Sequence, residues 1–199
     1  MKKNTLIYLL ILIIITVLIS AFFLFGGKNE IKDQTEIARI IEDSNLEIIH
    51  NLSDFNTSNY STSKLLEVSM LLAEKKGYMN ESDSGDFLEY VSQSDIHSLI
   101  RDLTNISIEA PIQIEDFNYR YDSENEYYYK IPLETSTYKI SSINHVYEKD
   151  NIYTIEAISI KTEDGEIIAE DTITTKLEYI KTNTYTTYQV IDQKISTQK

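Results

Sequence analysis

The 199-residue chain contains no cysteine, only two prolines and only five glycines. Without cysteine the fold has no disulfide bond, and both cysteine nucleophiles and lipid attachment at a cysteine are excluded. Basic residues are also scarce, with 18 Lys and Arg against 32 Asp and Glu. The glycine-rich loops that bind nucleotides and phosphates are missing as well. Several common classes of enzyme are therefore excluded.

What the chain does have is a long apolar run near its N-terminus. Residues 6–25 are uncharged and almost wholly aliphatic or aromatic. In a helix rising about 1.5 Å per residue, about 20 residues match a hydrocarbon core of about 30 Å. Secretory leaders have shorter apolar regions that end at a small-x-small cleavage site, and neither Ala21 nor Gly27 has neighbours that fit one. Residues 1–27 are therefore predicted to be a cytoplasmic stub and a permanent transmembrane anchor.

The charges flanking this run predict its orientation. Lys2 and Lys3 precede it, so the positive-inside rule places the N-terminus in the cytoplasm and the remainder outside the cell. The exported charge is then (18 − 2) − 32 = −16. Nucleic acid and anionic lipid headgroups are poor partners for such a chain, since both attract Lys and Arg. The expected partners are the membrane, through the anchor itself, and an envelope protein or a wall component.

Three helices are predicted beyond the anchor. Apolar residues recur at helical spacing across residues 36–52, including Ile37, Ile41 and Ile48. A second helix follows a loop rich in Ser and Thr and ends at Gly77, and a third is capped at its start by Ser92 or Ser94. We divide the exported part into a juxtamembrane helix and loop, residues 28–60, and an extracytoplasmic domain, residues 61–199.

The apolar period changes to two from about residue 118. The segments flanking DSEN predict a hairpin, and four longer strands follow, separated near residues 150, 165 and 183. Ile158 followed by Ile160 departs from the alternation and suggests a bulge. Helices that precede an antiparallel meander predict an α+β fold in which about three helices pack on a curved antiparallel sheet.

Three segments carry a resemblance to known proteins: FLEYVSQSDIHSLIRDL, EYYYKI and YKISSINHVYEKDNIYTIEAISI. They resemble uncharacterised membrane-anchored exported proteins of low-GC Gram-positive bacteria. Helices followed by a meander are similar to the NTF2-like or cystatin-like roll, and with a single anchor they resemble the VirB8-like subunits of conjugation machines. The resemblance implies an architecture and a location, and it supplies no catalytic residue.

Candidate ligand-binding residues lie on the predicted strands. His145 and Tyr147 are two positions apart, so their side chains share a face. With Tyr129 they are candidates for lining a pocket between the helices and the sheet. The alternative is a structural histidine, since neither a Gly-x-Ser-x-Gly motif nor a cysteine nucleophile accompanies His145.

Four tyrosines of the predicted hairpin, Tyr119, Tyr121, Tyr127 and Tyr128, are candidates for binding a partner. Tyr127 and Tyr129 point to one face and Tyr128 to the other. Stacked tyrosines beside carboxylates suit a glycan or a cationic ligand. Cross-strand aromatic pairs also stabilise hairpins, so the structural interpretation stays open.

Two metal motifs are incomplete. Glu47 and His50 form half of a carboxylate-bridged di-metal site, but no second copy exists, which favours two exposed polar residues on a helix. Residues 80–85 begin like a calcium loop containing Asp83, yet Val91 stands where a bidentate Glu belongs, and weak binding by Asp83 and Asp86 is the remaining alternative. We expect no cofactor and no metal.

These observations favour a non-catalytic, membrane-tethered, extracytoplasmic interaction or assembly module of the cell envelope. A small-ligand-binding or sensing domain is the alternative, and an uncharacterised enzyme comes third. Fold alone does not separate them, because rolls of this kind support both enzymes and scaffolds.

Overall fold

The computed structural model describes residues 28–81, 89–114, 118–131, 137–163 and 166–197. The helices are α1 (Gln34–Ser44), α2 (Leu46–Ile49), α3 (Thr62–Lys76) and α4 (Gln93–Thr104), with a 3-10 helix, His50–Leu52, after α2. The strands are β1 (Asn29–Glu30), β2 (Phe55–Asn56), β3 (Asn80–Glu81), β4 (Glu89–Ser92), β5 (Tyr119–Asp122), β6 (Tyr127–Lys130), β7 (Thr137–Lys149), β8 (Ile152–Glu163), β9 (Glu166–Lys181) and β10 (Thr186–Thr197).

Polar caps begin the longer helices, and left-handed residues end them. The side chains of Asp33, Ser61 and Ser92 accept hydrogen bonds from first-turn N–H groups of α1, α3 and α4. Gly77 ends α3 with a φ of 71°, and Asn45 ends α1 with a φ of 55°. Of the two candidate caps, Ser92 and Ser94, the structure uses Ser92, and the predicted stop at Gly77 is confirmed.

The predicted first helix is broken in two. Asn45 adopts the left-handed conformation between α1 and α2, so the described residues contain four α-helices where three were expected. Ile40 of α1 and Ile49 of α2 are both fully buried. The apolar spacing continues across the break, which explains why the sequence predicts one continuous helix.

The strands form two antiparallel sheets. The six-stranded sheet has the order β1-β7-β8-β9-β10-β2, and the four-stranded sheet has the order β3-β4-β6-β5. The predicted meander corresponds to β7 through β10, and the predicted hairpin corresponds to β5 and β6. Asp150 and Asn151 both have positive φ, as a two-residue hairpin turn requires. The predicted turn at Asp164 and Gly165 lies outside the described residues.

β8 is regular where a bulge was expected. Ala157 and Ser159 are both buried, whereas Ile158 and Ile160 are half-buried on the opposite face. The register shifts fall on the neighbouring strands: two lie in β7, one of them directly opposite Ile158 and Ser159, one lies in β9 against β8 and one in β10 against β9. A polar residue at a core position, Ser159, is what makes the alternation look broken.

The core lies between the helices and one face of the six-stranded sheet. Helices α1 and α4 contact β10, and α2 contacts β7. Val146, Ile155, Leu177 and Val190 are buried on the sheet side. Burying such side chains stabilises the fold by about 1.5 to 3 kcal/mol each.

A buried glutamine connects the helical layer to the sheet. Gln193 Nε2 donates to the backbone carbonyls of Ile49, His50 and Ser53 at 3.4, 3.2 and 2.8 Å, and its Oε1 accepts from Thr175 Oγ1 at 3.0 Å. Each polar atom of this side chain therefore has a partner. The network fixes the 3-10 helix over β9 and β10.

The α+β class is confirmed, with helices on antiparallel sheets in an arrangement consistent with a roll. Residues 28–60 contribute β1 and β2 to the large sheet, so this segment is integrated with the rest. Across the described ranges, no helix combines the length and apolar character needed to cross a membrane. The predicted anchor, residues 1–27, lies outside those ranges.

Candidate functional site

Three tyrosines gather on one face of the four-stranded sheet. Tyr127 and Tyr129 alternate with Tyr128 on β6, and Tyr90 of β4 pairs directly with Tyr129. The Tyr90 ring lies 4.6 Å from the Tyr127 ring and 5.5 Å from the Tyr129 ring, between centroids. All three side chains are half-buried. We call Tyr90, Tyr127 and Tyr129 the tyrosine cluster.

The cluster has polar neighbours on the adjacent strands. Arg120 of β5 pairs with Tyr129, and Asp122 of β5 pairs with Tyr127, so both share the face of the cluster. Hydrogen bonds from the Asn125 side chain and the Glu124 backbone hold the pKa of the Asp122 carboxyl below its usual range. The cluster therefore offers aromatic surface beside one cation and one ionised carboxylate.

The opposite face of the hairpin belongs to the core. Tyr128 is fully buried, and its hydroxyl oxygen accepts a hydrogen bond from the Ile112 N–H at 2.7 Å. Burial raises the pKa of Tyr128. Tyr121 lies opposite it on β5 and donates a hydrogen bond to the Gln93 side chain. Tyr128, a predicted partner-binding residue, is thus inside the protein.

An open groove of about 560 Å³ runs along β5. Tyr119 and Tyr121 line it together with the segment that precedes the strand. The remaining lining residues are Pro111, Ile112, Gln113, Ile114, Arg120 and Ile131. Two of the predicted partner-binding tyrosines therefore face a mostly apolar groove instead of the tyrosine cluster.

His145 and Tyr147 share a face of β7, as predicted. Their rings stack at 5.6 Å between centroids, and Lys28 Nζ lies 5.7 Å from the Tyr147 centroid. His145 Nδ1 lies 2.8 Å from Glu30 Oε1. Hydrogen bonds from His145 and then from Lys32 lower the pKa of the Glu30 carboxyl.

Neither side chain lies in the core between the helices and the sheet, and His145 borders a small cleft beside β1 and the start of α1. Val146 lies between them and is buried on the core face, so His145 and Tyr147 occupy the opposite face. Tyr129 lies in the other sheet, with ring contacts to Tyr90 and Tyr127. The structure thus brings His145 together with Tyr147 and places Tyr129 in a different cluster.

The Glu47 and His50 pair is not a pair of exposed residues. His50 is 2 % exposed, and its ring meets that of Tyr138 edge-on at 5.7 Å. Neither ring nitrogen makes a hydrogen bond of good geometry, although the carbonyls of Leu46, Glu47 and Tyr138 lie near the imidazole. Burial lowers the pKa of His50 despite those carbonyls.

In the part of the chain that the structure describes, no three His, Asp or Glu side chains lie close enough together to bind a metal ion. The candidate calcium ligands Asp83 and Asp86 lie outside the described residues.

Tyr90 is the cluster member that sequence reasoning missed. Its signal was local: Tyr90 alternates with the buried Val91 directly before the capping Ser92, as a residue of a short strand that faces away from the core would.

In comparisons with known proteins, no family model matches the chain, no curated protein matches its sequence and no solved structure matches its fold.

Proposed function

We propose that this protein is a non-catalytic, membrane-tethered, extracytoplasmic interaction or assembly module of the cell envelope. The observation that carries the proposal is the tyrosine cluster on the outer face of the four-stranded sheet. Its rings are half-buried and contact one another on the face opposite the buried Tyr128. Tyrosine is enriched at interfaces because it supplies large contact area together with a polar tip.

The partner is an envelope protein or a wall component. Aromatic rings beside the Asp122 carboxylate and the Arg120 guanidinium suit a partner with apolar surface and hydrogen-bonding groups, such as a glycan or a polypeptide. The exported charge of (18 − 2) − 32 = −16 makes polyanions poor partners. Nucleic acid is therefore not among the proposed ligands.

The test is crosslinking and pull-down of the tagged full-length protein, followed by co-sedimentation of residues 28–199 with purified cell-wall material. Replacing Tyr127 and Tyr129 by Ser is expected to reduce recovery of the specific partner by about tenfold, as loss of an aromatic anchor does. Replacing Tyr60, which is exposed between β2 and α3, is the matched control. Equal recovery with the cluster substitutions and with Tyr60→Ser would count against the tyrosine cluster.

The finer fold assignment is part of the same proposal. We propose that the domain is an NTF2-like or cystatin-like roll, related in architecture to VirB8-like subunits and shared with membrane-anchored exported proteins of Gram-positive bacteria. Support comes from the order of the elements, with helices α1 to α4 preceding the β7–β10 meander. An experimental structure in which the helices do not pack on the six-stranded sheet would contradict this fold assignment.

A small-ligand-binding role is the second candidate, and the groove along β5 favours it. Its volume of about 560 Å³ falls within the usual range for small-molecule sites. Its lining is mostly apolar, and Arg120 borders it from the neighbouring face of β5, so a largely apolar ligand fits best. Ligands that raise the unfolding temperature of the wild type, and not of a Tyr119→Ala variant, would support this role.

A further inference from the structure

We propose that one end of the six-stranded sheet rests on the phospholipid surface of the membrane that holds the anchor. This proximal end comprises the β7–β8 turn, the β9–β10 turn and the residues beside β1, and its contact residues are Lys28, Tyr147, Lys149, Ile152, Lys181 and Tyr185. The inference rests on the proposed function, because it requires the apolar run to remain in the bilayer.

The first argument is the length of chain available. The apolar run ends at Phe25 and β1 begins at Asn29, four residues later. Even a fully extended chain spans only about 14 Å over four residues. The start of β1 therefore lies within that distance of the point where the run leaves the hydrocarbon.

The second argument is that β1 is fixed to the sheet. Asn29 and Glu30 pair with Glu148 and Tyr147 of β7, and the next residue donates a backbone hydrogen bond from Ile31 to Val146 at 2.8 Å. The Glu30 side chain adds its contact to His145. The end of β7 is thus held as close to the bilayer as β1 is.

The third argument is the set of side chains at this end. Tyr185 is 58 % exposed in the β9–β10 turn, and Ile152 is 36 % exposed directly after the β7–β8 turn. Lys149 and Lys181 are exposed beside them, and Lys28 lies over the Tyr147 ring. Tyrosines and lysines are typical of membrane interfaces, where the ring sits at headgroup level and the ammonium meets phosphate.

The fourth argument is charge. Over residues 28–33, 147–152 and 178–185, the proximal end carries four lysines and five carboxylates, so its formal charge is 4 − 5 = −1. The exported chain as a whole has −16. An anionic bilayer repels a strongly negative domain, and it opposes least an orientation that presents this nearly neutral end.

The far end of the sheet serves as an internal control. β8 has 12 residues and runs from the proximal end to the β8–β9 turn, about 40 Å at 3.3 Å per residue. Ile167 and Ile168 are exposed there, 62 % and 49 % respectively, next to Glu166 and Glu170. This end is apolar too, but it lies too far from the tether to reach the lipid at the same time.

The experiment uses the full-length chain in vesicles of phosphatidylcholine and phosphatidylglycerol that contain a headgroup spin-labelled lipid. Because the chain has no cysteine, Asn183→Cys and Ile167→Cys each give one site for a fluorescent label. We expect the spin label to quench the fluorophore at position 183 at least about twofold and to leave the one at 167 nearly unchanged, as contact at interfacial depth requires. Replacing both Tyr185 and Ile152 by Ser should weaken quenching at 183, whereas replacing Ile167 and Ile168 should not.

Flotation of the same vesicles distinguishes failure of the proposed lipid contact from failure of the proposed tether. If the protein floats with the vesicles but quenching at 183 equals that at 167, the proximal end does not touch lipid and the inference is overturned while the tether survives. If the protein does not float, the tether itself is wrong, and the proposed function is overturned together with the inference.

Discussion

His50 is a buried imidazole with no hydrogen-bond partner of good geometry. Burial lowers its pKa, so the folded state takes up a proton at lower pH than the unfolded chain, whose histidines titrate near 6.5. Between those two values the unfolded state binds more protons, and stability falls as pH falls. One such group contributes a slope of at most about 1.4 kcal/mol per pH unit.

We expect His50→Phe to make stability less dependent on pH below about 6.5, because an uncharged ring replaces the titrating one. The measurement is urea unfolding of residues 28–199 at a series of pH values from 8 to 5. His97→Phe is the comparison: burial also lowers the pKa of His97, which is less buried, so its effect should be smaller. An unchanged slope in His50→Phe would contradict the prediction.

Gln193 is a second residue whose role depends on burial. Its side chain donates to three backbone carbonyls of the helical layer and accepts from Thr175. We expect Gln193→Leu to reduce the free energy of unfolding by about 2 kcal/mol or more, because buried carbonyls lose their donor. Thr175→Val removes one bond of the same network and should cost about 1 kcal/mol. Chemical unfolding checks both, and equal stability of Gln193→Leu and the wild type would refute the role.

At the scale of elements, the β7–β8 turn is the clearest point where a residue type sets the geometry. Asp150 has a φ of 54° and Asn151 a φ of 64°, so both central positions are left-handed. We expect Asn151→Gly to raise the free energy of unfolding by up to about 1 kcal/mol and Asn151→Val to lower it by about 1 to 2 kcal/mol. Thermal unfolding of the two variants gives the comparison, and the same sign for both would contradict it.

The elements that sequence reasoning predicted well are those with strong local signals. Alternation and turn residues predicted the β5–β6 hairpin and the β7–β10 meander, and Ser92 and Gly77 predicted a helix start and stop. The break at Asn45 had no such signal, because Ile40 and Ile49 keep an apolar spacing on both sides of it. The very short strands β1 and β2 were also not predicted, since two residues are too few to show an apolar period.

The candidate site was predicted only in part for a related reason. Alternation placed Tyr127 and Tyr129 on one face and Tyr128 on the other. Tertiary contacts decide which of the two faces packs on the core, and no local sequence pattern encodes them. The hydrogen bond from the Ile112 N–H to the Tyr128 hydroxyl is one such contact. The same holds for His145, whose outward direction follows from the burial of its neighbour Val146.

At the scale of the whole molecule, the chain combines an apolar run near its N-terminus with a folded part. The buried residues of the described part form one cluster, in which the helical layer faces the large sheet. The domain therefore has a core of its own, while the apolar run is long enough to hold it at a membrane. Tethering would confine an acidic domain to the membrane surface, where weak contacts act at high local concentration.

The orientation of this tether is the last prediction. Lys2 and Lys3 precede the run, so the positive-inside rule predicts that the acidic domain lies outside the cytoplasm. We expect Ile167→Cys to react with a membrane-impermeant maleimide in intact bacterial cells, and Asn4→Cys to react only after the cells are permeabilised. Each variant has a single thiol, because the chain has no cysteine. The reverse labelling pattern would place the acidic domain in the cytoplasm, and it would remove the envelope from the list of possible sites of action.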